Sequence, residues 1–261
     1  DEVKKHIDDF INSRDYLFKV ITASSIVKKR LLQWGFPKEK IYQIPIGVDT
    51  NLFTPASKAS KILIREKLGF KPNEFVIGSF QKDGTGWGEG NIPKYIKGPD
   101  LLVQTLELIS KNLPISVLLT GPARGYVKNE LSKRNIKFKH IYVDSYKEII
   151  NYYSALDLYI VSSREEGGPK AIVEAMASGV PIVTTDVGMA RDFIKDKLNG
   201  GLVLNFDPYE IAQKSINILI NKNKRELIKK ARNDVMRADW NSIANLYWDK
   251  VYMQAIEELR S

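Results

Sequence analysis

The run Leu158-Tyr-Ile-Val161, then Ser162-Ser-Arg-Glu-Glu-Gly-Gly-Pro169, then Lys170-Ala-Ile-Val-Glu-Ala-Met-Ala177 and Ser178-Gly-Val-Pro181, reads as strand, turn, helix and return. Its apolar opening does not alternate, which is what a parallel strand buried on both faces requires. In the turn, Gly167 and Gly168 have no side chain to hold a ligand off the backbone, and Pro169 suits the first helical turn. The unpaired N–H groups at a helix start favour an anion such as a diphosphate. Glu166 precedes the turn, and Glu174 lies eight residues later, two helical turns along. A carboxylate accepts hydrogen bonds from both hydroxyls of a vicinal diol, so the first can meet sugar hydroxyls and the second a ribose.

Outward from this stretch, the chain alternates. Strands are expected at Lys19–Thr22, Ile41–Pro45, Phe75–Phe80, Ser116–Thr120, Lys139–Val143, Leu158–Ser162, Pro181–Thr184 and Gly201–Leu204. Helical periodicity fills many of the gaps, as in Pro99–Lys111, Lys147–Ser154 and Lys170–Ala177. The pattern predicts an α/β fold, a Rossmann-like doubly wound parallel sheet with its ligand crevice at the strands' carboxyl ends. Gly47 to Pro55 reads as a linker. At the far end Trp240, Ile243, Ala244, Tyr247, Val251, Ala255, Ile256 and Leu259 predict one long amphipathic helix whose stripe packs on something.

The 261 residues, 43% hydrophobic and 27% charged, are ordinary for a globular protein with a proper core. No apolar run approaches the roughly 20 residues that span a bilayer, and no secretory signal opens the chain. With no cysteine, disulfides, thiolate catalysis and cysteine zinc sites are excluded, which fits a reducing cytoplasm. The chain opens at Asp1 without a Met, in helical character, and is read as a piece of a longer protein. A net charge of +9 favours anionic partners. The surplus gathers at Lys28-Lys29-Arg30, at Lys133-Arg134 with Lys137 and Lys139, and from Lys222 to Arg232. Solvated helix faces explain most of it, with peripheral contact at the inner membrane face as the second reading. Nucleic acid is not expected, because aromatics do not interleave with these clusters.

The Glu-x7-Glu spacing, together with Ala175-Met-Ala-Ser-Gly-Val-Pro-Ile-Val183, resembles the retaining family 4 glycosyltransferases of GT-B architecture. Ile44-Pro-Ile-Gly-Val-Asp49 and Phe53-Thr-Pro55 look like that family's inter-domain stretch. Leu118-Leu-Thr-Gly-Pro122 and Tyr153–Ser163 look like its strands beside the nucleotide. Similarity runs from about Val20 onward. The resemblance implies the C-terminal, donor-binding half of such an enzyme. Residues 1–46 would be a remnant of the acceptor domain, 47–238 the nucleotide-sugar domain, and 239–261 a helix packing back toward the N-terminal side. It gives Glu166 the donor-sugar hydroxyls, Glu174 the ribose, and the backbone of Gly167, Gly168 and Pro169 the sugar and phosphates, with Lys170 beside them. Backbone around Val143 and Ser145 would meet the base, uracil or guanine being equally open. The activity implied is transfer of a sugar from a UDP- or GDP-linked donor to a glycan or lipid-linked acceptor, with retention.

The family's diphosphate clamp places a basic residue after a strand and a Lys before Gly further on. Lys97-Gly98 matches the second position, and Lys82 is the candidate for the first, where many relatives carry Arg closer to the strand. Two ammonium groups there stabilise charge developing on the leaving diphosphate. Between them, Asp83-Gly-Thr-Gly-Trp-Gly-Glu-Gly90 is neither a P-loop nor a dinucleotide fingerprint. It is read as a mobile loop over the site, with Trp87 a candidate sugar-stacking ring. No Asp-x-Asp occurs and the only histidines are His6 and His140, so neither a metal nor another cofactor is expected. Alternatives are a non-catalytic nucleotide-sugar-binding module and a sugar-nucleotide epimerase, which would need acid/base histidines in the cleft.

Overall fold

The computed structural model describes residues 2–260. The chain begins with helix α1 (Glu2–Asn12), strand β1 (Val20–Thr22), helix α2 (Ser25–Gln33) and strand β2 (Ile41–Gln43). β1 and β2 pair in parallel as a sheet of their own, and Leu31, Phe36 and Ile41 form a small separate core beneath them. Phe10 of α1 stacks on Phe36 with ring centroids 4.8 Å apart. Helix α3 (Lys58–Leu68) then leads into the main body.

That body contains β3 (Phe75–Phe80), α4 (Pro99–Ser110), β4 (Ile115–Thr120), α5 (Gly125–Lys133), β5 (Phe138–Ile141) and α6 (Ile149–Ser154). There follow β6 (Leu158–Val161), α7 (Lys170–Ala177), β7 (Ile182–Thr185), α8 (Ala190–Phe193), β8 (Gly201–Val203), α9 (Pro208–Ile220) and α10 (Lys224–Val235). All six strands are parallel, in the order β5-β4-β3-β6-β7-β8. Winding goes outward from β3 in one direction and, after a jump to β6, outward in the other, which defines a doubly wound sheet with its switch point between β3 and β6. The sequence-based strands differ from these by a residue or two at their ends. Pro181, for example, precedes β7, as expected of a residue with no N–H for the ladder.

Side-chain alternation divides the core in two. Ile77, Leu158 and Ile160 face one side with Leu102, Leu106 and Ile109 of α4, whose spacing puts them on one helix face. Val76, Tyr159 and Val161 face the other with Ile172, Val173 and Met176 of α7. Each fully buried Leu or Ile contributes ~1.5–3 kcal/mol by leaving water, so the two layers fix the sheet faces without ambiguity.

Two sequence expectations change. The Gly47–Pro55 stretch is not a free linker: Val48 and Phe53 are fully buried, and Arg232 donates to the carbonyls of Thr50, Phe53 and Ala177. Arg232 is thus a structural clamp and not part of a solvated basic face. The C-terminal stripe, meanwhile, is only partly covered. Helix α11 (Trp240–Tyr247), a π-helical turn (Trp248–Tyr252) and helix α12 (Met253–Arg260) run on consecutively, but only Ile243 of the stripe is buried. Tyr247, Val251, Ala255 and Ile256 are half-buried, and Trp240, Ala244 and Leu259 are exposed. Tyr42 of β2 donates to Gln254 at 3.0 Å and ties α12 to the N-terminal segment. Among the described residues no helix is long and apolar enough to cross a membrane.

One buried carboxylate holds α3 to the sheet. Asp157, just before β6, accepts from the Val76 N–H at 2.9 Å, from Lys61 at 2.9 Å and from the Arg65 guanidinium. Burial alone would raise its carboxyl, but Lys61 and Arg65 outweigh burial and hold it below the ordinary 3.8. A depressed value contributes stability above the unfolded pKa that is lost as pH falls through the folded one. Asp157→Asn should therefore cost ~3–5 kcal/mol at pH 7 in urea unfolding, as for a buried pair broken on one side. The gap between the variant and the original should narrow below pH ~4; a gap independent of pH would show that the charge is not what matters.

Candidate functional site

The site forms where the carboxyl ends of β3 and β6 lie side by side. After β3 the chain makes a long excursion and returns through a 3-10 turn, Tyr95–Lys97, to Gly98 and α4. Gly98 is left-handed (φ 61°), and a Cβ on it would lie 1.8 Å from the Ser162 carbonyl, so only glycine passes there. Arg164 locks the two loops together. It donates to both carboxylate oxygens of Asp100 (2.8 and 2.6 Å) and to the Tyr95 carbonyl, while its own N–H reaches the Ile96 carbonyl. Its role was missed in the sequence, where it looks like one more charge before Glu165.

This closure delivers Lys97 to Glu166. The Lys97 ammonium lies 2.6 Å from Glu166 Oε1, and Ser163 Oγ donates to the same oxygen at 2.8 Å. Glu165, by contrast, points away and pairs with Arg30 of α2 at 2.5 Å. Pro169 stands one residue before α7, at its N-cap, with φ −67°. The two glycines of the turn differ in purpose. A Cβ on Gly167 would meet nothing within 4 Å, whereas one on Gly168 would lie 2.9 Å from both Ala23 and Ile46. Gly167 leaves the open approach expected of both, and Gly168 is there for packing against the N-terminal segment.

Glu174 is buried, not an exposed helix charge. Its Oε1 accepts from the Tyr146 hydroxyl at 2.5 Å and its Oε2 from the Tyr153 hydroxyl at 2.9 Å. Burial first, and then the neighbouring carboxylate, push both phenols far above their usual range, so both remain protonated donors. Lys170 stands 3.6 Å from Glu174 Oε1 with its ammonium 3.8 Å from the centre of the Tyr146 ring. Neither tyrosine was singled out from sequence, although Tyr153 fell inside the recognised 153–163 stretch.

A cleft of about 410 Å³ opens beside Glu174, between the ends of β3, β4 and β5. Val143 and Lys82 line it with Tyr142, Tyr146 and Gly121. Ser145 does not; its hydroxyl caps the 3-10 turn Tyr146–Glu148 by accepting from the Lys147 N–H. Lys82 does not join Lys97 on Glu166. Its ammonium sits 3.5 Å from the centre of the Trp87 ring, so one face of that ring is already occupied. His140 is bonded through Nε2 to the Gly121 carbonyl at 2.8 Å, and burial lowers its pKa. Among the described residues no three His, Cys, Asp or Glu side chains converge as a metal site.

The glycine-rich loop is anchored at its base and exposed at its tip. Arg124 is fully buried and donates to the carbonyls of Ser79, Gln81 and Thr120, with its Nε 3.0 Å from buried Asp83. Burial pushes Asp83 up and Arg124 down, each opposed by the other's charge. The backbone of Glu89 and Gly90 accepts from Gly125 and Tyr126, and a Cβ on Gly84 or Gly90 would strike Ala123. Only residues 85–89 are exposed, Trp87 among them, which limits any mobility to the tip.

The class defined by this fold and arrangement is supported by likeness to known proteins. The family model "Glycosyl transferases group 1" matches residues 90–234, more than half of the chain. The chain belongs to that family, and its sheet is one half of the GT-B architecture. It is 29% identical over 233 residues to D-inositol 3-phosphate glycosyltransferase of Xylanimonas cellulosilytica, covering 85% of this chain and 53% of the relative. It is 31% identical over 229 residues to UDP-Gal:alpha-D-GlcNAc-diphosphoundecaprenol alpha-1,3-galactosyltransferase of Escherichia coli, covering 81% and 55%. The chain thus spans about half the length of these curated relatives. In fold it is similar to Anabaena Alr3699/HepE, solved in complex with UDP and glucose, with a TM-score of 0.80 at 23% identity over 95% of this chain and 67% of that one.

Removing the Arg124 charge strands Asp83. Arg124→Met should cost ~3–5 kcal/mol in urea unfolding, and Arg124→Met with Asp83→Asn should recover part of it, because an uncompensated buried charge dominates the loss. Equal stability of Arg124→Met and the original chain would remove the pair from any role in holding the loop.

Proposed function

We propose that this chain binds the nucleotide-sugar donor of a retaining glycosyltransferase and presents its anomeric carbon to an acceptor hydroxyl. The observation that carries this reading is the Lys97–Glu166 contact at the switch point, with Glu174 one turn into the α7 helix that follows. Glu166 takes the donor-sugar hydroxyls and Glu174 the ribose diol. Lys97 stabilises charge on the leaving diphosphate, with Lys82 swinging from Trp87 to join it, and the start of α7 adds its N–H groups. The 410 Å³ cleft takes the base beside Val143, with uracil favoured by the UDP-bound structural neighbour. The leaving phosphate helps deprotonate the acceptor, and no protein nucleophile is used. Two lysines and a helix start carry the charge that a metal carries elsewhere, so binding is metal-independent. Relatives named for diphosphoundecaprenol and phosphatidylinositol acceptors favour a glycan or lipid-linked acceptor, with peripheral contact at the inner membrane face through the basic surface.

Calorimetry with UDP and GDP should show binding that EDTA leaves unchanged. Glu174→Ala should weaken it by ~10- to 100-fold, the worth of hydrogen bonds to a charged acceptor. Binding of neither nucleoside diphosphate would sink the reading. In a protein carrying the whole activity, Glu166→Gln should lower turnover by ~100-fold, as for loss of one transition-state contact; unchanged turnover would remove Glu166 from the donor site.

A further inference from the structure

Both oxygens of Glu174 are engaged by tyrosine hydroxyls, but the two tyrosines are not equivalent. Tyr153 is fully buried on α6, wedged among the rings of Phe53, Phe80 and Tyr159 at centroid distances of 5.9, 4.9 and 5.5 Å. It cannot leave without opening the core. Tyr146 is half exposed, sits on a three-residue turn capped only by Ser145, and lines the cleft beside Glu174. Its hydroxyl stands 2.5 Å from Oε1.

We propose that Tyr146 is an internal stand-in for the ribose, which the incoming nucleotide displaces from Glu174 Oε1. The inference rests on the assignment of Glu174 to the ribose. One O–H donor replaces another on the same carboxylate oxygen, so the buried charge loses no hydrogen bond in the exchange. Tyr153 keeps Oε2 and fixes the orientation of the carboxylate throughout. Lys170, 3.6 Å from Oε1, balances the charge whichever donor is present. The nucleotide must then supply the hydroxyl that Tyr146 gives up, which makes the site selective for a nucleotide that carries a ribose hydroxyl at that position.

Calorimetry on the full chain tests this with UDP and with 2′,3′-dideoxy-UDP. Tyr146→Phe removes the competitor and leaves Glu174 short of a donor when empty. It should bind UDP ~3- to 10-fold tighter than the original, the scale of one hydrogen bond to a charged acceptor. For the dideoxy nucleotide, which has no hydroxyl to offer, the variant should show no such gain. UDP binding that is unchanged or weaker in Tyr146→Phe overturns the proposal, and so does an equal gain for both nucleotides. Glu174→Gln separates this failure from that of the underlying assignment. If it binds UDP as well as the original, the ribose role of Glu174 is lost. If it weakens UDP while Tyr146→Phe does not tighten it, only the exchange is wrong.

Discussion

The reversal of winding between β3 and β6 is the constraint on which the rest of the molecule depends. Two parallel strands lie adjacent there although 77 residues of chain, counted from Phe80 to Leu158, separate them and their following loops diverge in opposite directions. A crevice at that point is unavoidable, and the chain's specific chemistry consists in how it is closed. Gly98 lets one loop pass within contact of the Ser162 carbonyl, and the Arg164–Asp100 fork fastens the other loop to it. These two fastenings bring Lys97 and Glu166 into contact.

Each charged group proposed for the donor has a protein partner. Glu166 holds Lys97 and Ser163, Glu174 holds two phenols, and Lys82 rests on Trp87. Burying an unpaired charge is costly, and these partners offset that cost.

The central sheet was legible in the sequence because parallel strands buried on both faces are written as unbroken apolar runs, as in β4 and β6. Glu166, Glu174 and Lys97 became candidates through a family resemblance carried by local patterns, and the fold brings Lys97 and Glu166 into contact. What escaped had long-range causes. Arg124 and Asp83 lie 41 positions apart and look like two surface charges until the fold buries them together. Tyr146 and Tyr153 reach Glu174 from another helix, and no spacing announces it. The glycines at 84 and 90 looked like flexibility, but they serve close packing against Ala123.

Gly168 carries a mechanical consequence. The turn bearing Glu166 is gripped from outside the sheet, by Ala23 and Ile46 against Gly168 and by Arg30 on Glu165. It is therefore mounted on two supports, the start of α7 on one side and the N-terminal segment on the other. A rocking motion of one support against the other acts on the backbone between them like a lever with a short arm. The Glu166 carboxylate is the part that such a motion moves first, while Glu174, one turn into α7 and braced by Tyr153, stays with the sheet.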